Sequence, residues 1–328
     1  MSELDIVGKS YPQIDGMQKA MGKTKFVTDL VLPGMLYGRT LRSPYPHATI
    51  KNIDTARAKA LAGVKAVVTY ADTPGIKFGP RSEDWTIFAG DKARFHGDEV
   101  AAVAAIDEDT AEEALELIEV EYEELPFVTD PLEAMQPGAP LVHDDKPANI
   151  AVEFKVEVGD VDRALDDSHI IYEDRYYTNQ VYQAYMEPMA ALADVDPSGR
   201  ITMWTGTQIP NMMRMTYAKA LALSPDNIRV IVPDYGGGFG GKMENNIHLV
   251  AAILAQKART PVKLINTRYE DFIAGNPRVP MYIDIKLGAT KEGVLTGKEV
   301  TVVGSAGARL VYAMVIVATA CYRVDSLY

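Results

Sequence analysis

The sequence predicts an α+β protein in two units, and three observations carry that reading. Short strand-like runs alternate with capped helical segments up to about residue 135. Turn-forming residues then crowd Gln136-Pro-Gly-Ala-Pro140 and Asp144-Asp-Lys-Pro-Ala148, which is linker chemistry. From about Ala151 the strand-like runs and apolar helices become longer. The 328 residues suffice for two domains, and 47% hydrophobic with 24% charged residues is globular composition. The expected boundaries are 1–135, a linker at 136–150, and 151–328.

In the first unit, Leu36-Tyr-Gly-Arg-Thr-Leu41 and Val64-Lys-Ala-Val-Val-Thr69 have strand composition. Asp54 is placed to cap a helix from Thr55 to Leu61 with Gly63 as its stop. Thr110-x-x-Glu113 reads as a capping box opening a helix through Ile118. In the second unit Ile170 to Tyr177 reads as a strand. The run from Tyr172 to Tyr185, tyrosines broken by polar residues, reads as a strand pair with one buried face, with substrate stacking as the other reading. Helices are expected at Asn211 to Leu223 and around His248 to Ala258. The uncharged stretch Leu310 to Tyr322, bounded by Arg309 and Arg323, falls short of the ~20 residues that span a bilayer and reads as a buried strand or core helix. The sequence shows no internal repeat or low-complexity tract.

Charge and cysteine content narrow the partners. A net charge of −12, from 33 basic and 45 acidic residues, argues against nucleic acid or an anionic membrane surface. One cysteine, Cys321, rules out a disulfide framework, and an iron–sulfur cluster takes about four cysteines. Any cluster is therefore expected on another chain. The opening Met-Ser-Glu-Leu-Asp-Ile lacks the basic-then-apolar pattern of a signal peptide, so a cytoplasmic location is expected.

The chemistry concentrates in Tyr235-Gly-Gly-Gly-Phe-Gly-Gly-Lys242. It lies between the strand-like Asn227-Ile-Arg-Val-Ile-Val-Pro233 and the helix from His248. Glycine there permits positive φ and close approach, and backbone N–H groups near a helix start can cradle an anion. Read as Gly236-x-Gly238-x-x-Gly241 it satisfies a dinucleotide fingerprint, but Asn266-Thr267-Arg268 stands where the acidic residue should be, with Glu270 and Asp271 too far on. Read as Gly236 to Lys242 it is nearly a phosphate-binding Walker loop, yet Met243 stands where Mg²⁺ needs Ser or Thr. The third reading is a structural turn with a core phenylalanine. Phe239, flanked by glycines, has little neighbouring side chain to pack on, which favours a ligand-facing role.

Around this loop lie Met21-Gly-Lys-Thr-Lys-Phe-Val-Thr-Asp29, Leu41-Arg-Ser-Pro-Tyr-Pro-His-Ala-Thr-Ile50, Gly97-Asp-Glu-Val-Ala-Ala-Val-Ala104, Glu119-Val-Glu-Tyr-Glu-Glu-Leu-Pro126, Tyr185-Met-Glu-Pro188, Thr205-Gly-Thr-Gln-Ile-Pro210 and Pro261-Val-Lys-Leu-Ile-Asn-Thr-Arg268. In this order they resemble the molybdenum-cofactor subunit of the xanthine dehydrogenase and aldehyde oxidase family, which includes 4-hydroxybenzoyl-CoA reductase and nicotinate dehydrogenase. The resemblance implies an N-terminal α/β hammerhead domain followed by the first part of a molybdopterin-binding α+β domain. It implies molybdenum-molybdopterin, plain or as a cytosine dinucleotide, contacted by Gln208, Gly238, Phe239 and Gly240, with Phe239 and Met243 toward the substrate.

Further cofactor-binding segments and the family's catalytic glutamate are not matched, so no catalytic residue is assigned here. The expectation is a split subunit completed by a second molybdopterin-binding chain, an iron–sulfur subunit and an FAD subunit. The reaction implied is hydroxylation of a small aromatic or heteroaromatic substrate, or reductive dehydroxylation of an aromatic thioester. Met243, where purine-oxidising relatives carry a glutamate, argues against xanthine itself. Glu187 reads as a buried structural carboxylate, and His47, His96, His143, His169 and His248 show no zinc-ligand spacing. Two alternatives stand beside this: a noncatalytic assembly or scaffold subunit, since Ser305 and Arg309 depart from the family's Asp-x-Gly-Ala-Tyr pattern, and a P-loop-like nucleotide-binding protein.

Overall fold

The computed structural model describes residues 5–79, 82–310, 324, 326 and 327. Most of the uncharged stretch from Leu310 to Tyr322, with Cys321, lies outside the described residues. Along the chain come α1 (Gly16–Ala20), β1 (Leu36–Arg42), β2 (Ala48–Asp54), α2 (Ala56–Ala60), β3 (Val64–Thr69), β4 (Lys92–Ala93), β5 (Glu99–Ala105), α3 (Glu108–Glu116), β6 (Glu119–Glu124) and α4 (Pro131–Ala134). The second half adds α5 (Val161–Asp166), β7 (Ile170–Thr178), β8 (Ala190–Val195), β9 (Ile201–Thr205), α6 (Pro210–Ala220) and β10 (Ile228–Ile231). It continues through α7 (Ile247–Ala258), β11 (Val262–Ile265), α8 (Arg268–Ala274), β12 (Met281–Ala289), β13 (Leu295–Gly304) and the short β14 (Ser326–Leu327).

Three sheets result. The largest has the order β10-β9-β8-β11-β1-β5-β3, so strands from both halves share it. The join is the parallel pair β1 and β11, with Leu36 opposite Val262 and Gly38 opposite Leu264. A four-stranded sheet runs β14-β13-β12-β7, and a smaller one runs β4-β2-β6. α7 is the central helix. Every residue from Ile247 to Ala255 is buried, as a helix that is apolar all round must be, and it packs into the main core with strands from both halves.

Ionic contacts reinforce the join. Arg309 is half-buried between Asp98 and Glu99, at 2.7 and 2.6 Å, with its guanidinium 4.7 Å from the Phe95 ring centroid. Arg42 reaches Glu99 at 3.0 Å, Glu270 at 3.1 Å and the Asn266 carboxamide at 3.2 Å. Burial works against the charge on Glu99, but Arg309 and Arg42 outweigh it and hold its pKa down to about 2. Arg309 is thus a structural cation tying the strand-end residues 98 and 99 to the chain beyond β13.

Two local expectations need correction. The N-cap of α3 is Asp107, whose carboxylate accepts from the Thr110 N–H at 2.8 Å, so the helix starts before Thr110 and the Thr110–Glu113 box does not form. Aspartate at the true boundary supplies the acceptor ahead of the position the motif suggested. The tyrosine run is not a strand pair with a buried face. Only β7 is a strand, it pairs with β12, and all of its residues are exposed. Around α2 the fit is partial: Asp54 accepts from the Ala56 N–H at 2.8 Å, but Thr55 occupies the cap position and the helix ends at the extended Leu61, ahead of Gly63 with its φ of 97°.

His248 lies fully inside this core, its Nε2 against the Thr205 hydroxyl and its Nδ1 against the Tyr217 hydroxyl. Burial pushes its pKa down from 6.5 to about 3, with nearby Lys242 acting the same way. The unfolded chain binds a proton near 6.5 that the native state refuses, so stability falls as pH drops from about 6.5 toward 3. One such proton gives a slope of about 1.4 kcal/mol per pH unit. Denaturant titrations across that range should show the slope, and His248→Asn should flatten it by about that amount.

Candidate functional site

The glycine-rich loop leaves β10 and enters α7, and its shape is set from below by one buried ion pair. Lys242 Nζ lies 2.7 Å from Glu187 Oε2, with the lysine almost wholly buried. The same Oε2 accepts from the Gly236 N–H at 2.7 Å. Both ends of the loop are therefore pinned to one carboxylate oxygen. Lys242 also lies 4.7 Å from the Tyr185 ring centroid, a cation–π contact in a desolvated place. Burial lowers the Lys242 pKa, and Glu187 opposes that shift.

Gln208, between β9 and α6, pins the middle. Its side-chain oxygen accepts from the Gly240 N–H at 3.0 Å and the Lys242 N–H at 3.3 Å, and its backbone N–H donates to the Lys242 carbonyl at 3.0 Å. These contacts explain the glycines. A Cβ at Gly236 would come within 2.7 Å of Glu187 Cβ, one at Gly238 within 2.7 Å of Gln208 Oε1, and one at Gly241 within 2.8 Å of Tyr185 Cε1. Gly240 differs: a Cβ there would meet nothing within 4 Å, and its requirement is the φ of 93°.

Phe239 is held at φ of 51°, a left-handed conformation uncommon outside glycine, and is 69% exposed. Strain of this kind concentrates at ligand sites. The core-phenylalanine reading is excluded. Phe239, Gly238 and Gln208 line a cavity of about 530 Å³ together with Lys19, Asp234 and Tyr235. Lys19, from α1, sits 3.4 Å from Asp234. Met243 is half-buried and outside this wall, its N–H donating to the Gly240 carbonyl. Sequence reasoning misses Lys19, Asp234 and Tyr235; only the Asp15–Lys19 spacing, which gives an i,i+4 ion pair, hints that α1 is ordered.

The nucleotide readings fail on the same geometry. Lys242 turns inward to Glu187, so it is not a phosphate lysine. Glu270 caps α8, accepting from the Thr267 N–H at 2.7 Å, and Asp271 is buried, accepting from Asn266 at 3.0 Å, so neither is free for a ribose. Strands β9 and β8 also separate β10 from β11, unlike the adjacent strands of a dinucleotide-binding unit. Among the described residues no cluster of His, Cys, Asp and Glu is arranged to hold a metal by itself, and no helix is long and apolar enough to cross a membrane.

Comparison with known proteins places this loop in context. Residues 21–126 match the aldehyde oxidase and xanthine dehydrogenase a/b hammerhead domain, and residues 142–328 match the molybdopterin cofactor-binding domain. The chain belongs to the xanthine dehydrogenase and aldehyde oxidase family. It is 41% identical over 295 residues to a Bacillus subtilis protein named as a probable xanthine dehydrogenase subunit, covering 90% of this chain and 39% of that one. It is 36% identical over 319 residues to the nicotinate dehydrogenase large molybdopterin subunit of Eubacterium barkeri, covering 97% and 75%. Reconstituted CO dehydrogenase from Oligotropha carboxidovorans superposes with a TM-score of 0.81 at 32% identity, covering 90% of this chain and 39% of that one. The fold is thus the family's α/β hammerhead followed by its molybdopterin-binding α+β domain. The chain spans about two-fifths of the length of the first and third of these proteins.

The Glu187–Lys242 pair gives a direct stability test. Glu187→Ala strands a buried ammonium and removes the acceptor of Gly236, so a loss of about 3–5 kcal/mol is expected in equilibrium unfolding. A loss under about 1 kcal/mol would mean that the pair is solvated and does not shape the loop.

Proposed function

We propose that this chain forms one wall of the molybdenum pocket of a multi-chain hydroxylase or dehydrogenase acting on a small aromatic or N-heteroaromatic ring, or reducing an aromatic thioester. The observation that carries the reading is the glycine loop, whose backbone is folded onto Gln208 while Phe239 and the bare Gly240 are turned outward beside the cavity. Its residues fit a pterin-held metal. A cradle that a Cβ would fill at Gly238, and open space over Gly240, allow close approach of a bulky polar group.

When bound, molybdopterin supplies the redox and oxygen-transfer chemistry. The chain's own residues do the positioning. The Gln208 oxygen is committed to the loop, which leaves its NH₂ to donate to an acceptor in the cavity. Gly240 presents backbone without a side chain. Phe239 and Tyr235 offer flat apolar surface on which an aromatic ring can stack. Lys242 is assigned no contact with ligand; it holds the loop. Arg309 is paired with Asp98 and Glu99 and lies outside the cavity lining; its departure and that of Ser305 from the family pattern keep the scaffold subunit as the second reading.

The catalytic base, iron–sulfur clusters and FAD are assigned to other parts of the complex: a further molybdopterin-binding chain, an iron–sulfur subunit and an FAD subunit. A single cysteine cannot ligate a cluster. The cytosine dinucleotide form of the pterin and a cytoplasmic location belong to the same proposal.

Metal and pterin analysis of the assembly purified from its native host through a tag on this chain tests the reading; molybdenum and pterin are expected, and their absence selects the scaffold alternative. Gly240→Val should lower turnover about 100-fold with the fold retained, because a branched side chain at that φ displaces the loop from its productive position. Phe239→Ala should raise KM or lower kcat while pterin content holds. A Gly240→Val assembly with full pterin content and near-normal turnover would make the loop a structural turn.

A further inference from the structure

A group of exposed apolar side chains lies outside the cavity lining, on the four-stranded sheet. All nine residues of β7 are exposed, among them Ile170, Ile171, Tyr172, Tyr176 and Tyr177. β7 is the edge of its sheet, paired on one side with β12 and on the other with nothing among the described residues. The Arg175 N–H donates at 2.8 Å to the Asp174 carboxylate, so it faces the free side and not the β12 ladder. With a strand period of two, the N–H groups of Glu173 and Tyr177 face the same way.

The far side of this sheet is similar. Val152, Phe154, Val156 and Val158 are exposed and alternate with Glu153, Lys155 and Glu157, and this segment joins the sheet through the bridge of Val158 to Leu327. The alternation is strand-like in sequence, while in the structure only Val158 is bridged to the sheet and the apolar and charged residues are alike exposed. Long edge strands without proline, carrying aromatic and aliphatic residues, are surfaces that native proteins cover.

We propose that β7 receives a strand, by antiparallel or parallel β-addition, from the complementary part of the molybdopterin-binding fold, the part that longer relatives carry beyond their match to this chain. The inference rests on the functional reading above and names the surface at which the second wall of the pocket docks. Three observations select this occupant. The chain matches 90% of itself but only 39% of the CO dehydrogenase chain, so the family's fold has further mass to place. The seven-stranded sheet ends in β10 and β3, each of which carries buried residues, whereas every residue of β7 is exposed. Five of its nine residues are aliphatic or aromatic, and its charged centre is partly neutralised within the sheet, Arg175 pairing with Asp284 and Glu173 lying 3.9 Å from Lys286, so it suits a strand rather than a charged polymer.

The test uses the assembly purified through a tag on this chain, with a photo-crosslinking phenylalanine analogue replacing Tyr177. The expected adduct is with a molybdopterin-binding sequence lying outside residues 1–328. Adducts only with a second copy of these residues, or with an iron–sulfur or flavin chain, overturn the proposal, as does the absence of any adduct. Glu173→Pro removes one outward N–H without touching the β12 ladder and should cut adduct yield about tenfold, the worth of one hydrogen bond. Glu173→Ala keeps that N–H and should retain the yield. Equal yields from the two variants would show contact without strand addition and also overturn it. An adduct of the expected kind in an assembly lacking pterin would leave the docking intact and fail the functional reading instead.

Discussion

The glycine-rich loop takes its shape from one charge pair. Glu187 and Lys242 are buried together, and a buried ion pair is seldom the most stable filling for a core. Its use here is geometric. One carboxylate oxygen takes the first N–H of the glycine run and the ammonium that ends it, so the intervening residues form a closed arch of fixed span. Gln208 then fixes the middle of the arch. Glycine is required wherever these anchors approach from below, and the strained Phe239 is tolerable because the arch determines its backbone on both sides.

The arch also explains why the loop's resemblance to phosphate-binding motifs misleads. Such motifs use lysine as a point charge toward a ligand, and the spacing alone cannot tell an outward lysine from an inward one. Here the deciding residue, Glu187, is 55 positions away in sequence. Burial then makes the lysine a tether.

Local signals are the ones legible in the sequence. The loop, the strand before it, the apolar helix after it and the family's ordered segments can all be read directly, and Phe239 between glycines is exposed rather than packed in a core. What cannot be read is partnership across the chain. Glu187 carries no sign of Lys242, and Lys19 gives none that α1 would reach the cavity, because neither contact leaves a periodic trace. The tyrosine run fails for a related reason: alternation predicts a strand but not whether a face is covered. At α3 the motif favours a two-residue box over a single aspartate one turn earlier, where side-chain reach decides the outcome.

The pairing of β1 with β11 has a consequence for how the protein is made. Leu36 and Val262 are neighbours in the sheet but leave the ribosome far apart in time. β1 finds β5 early, yet its other edge stays open until most of these residues have been synthesised, and parallel pairing over such separations is slow. The nascent chain therefore carries an unfilled slot at the centre of its largest sheet, a natural target for chaperones and a place where truncated products would aggregate.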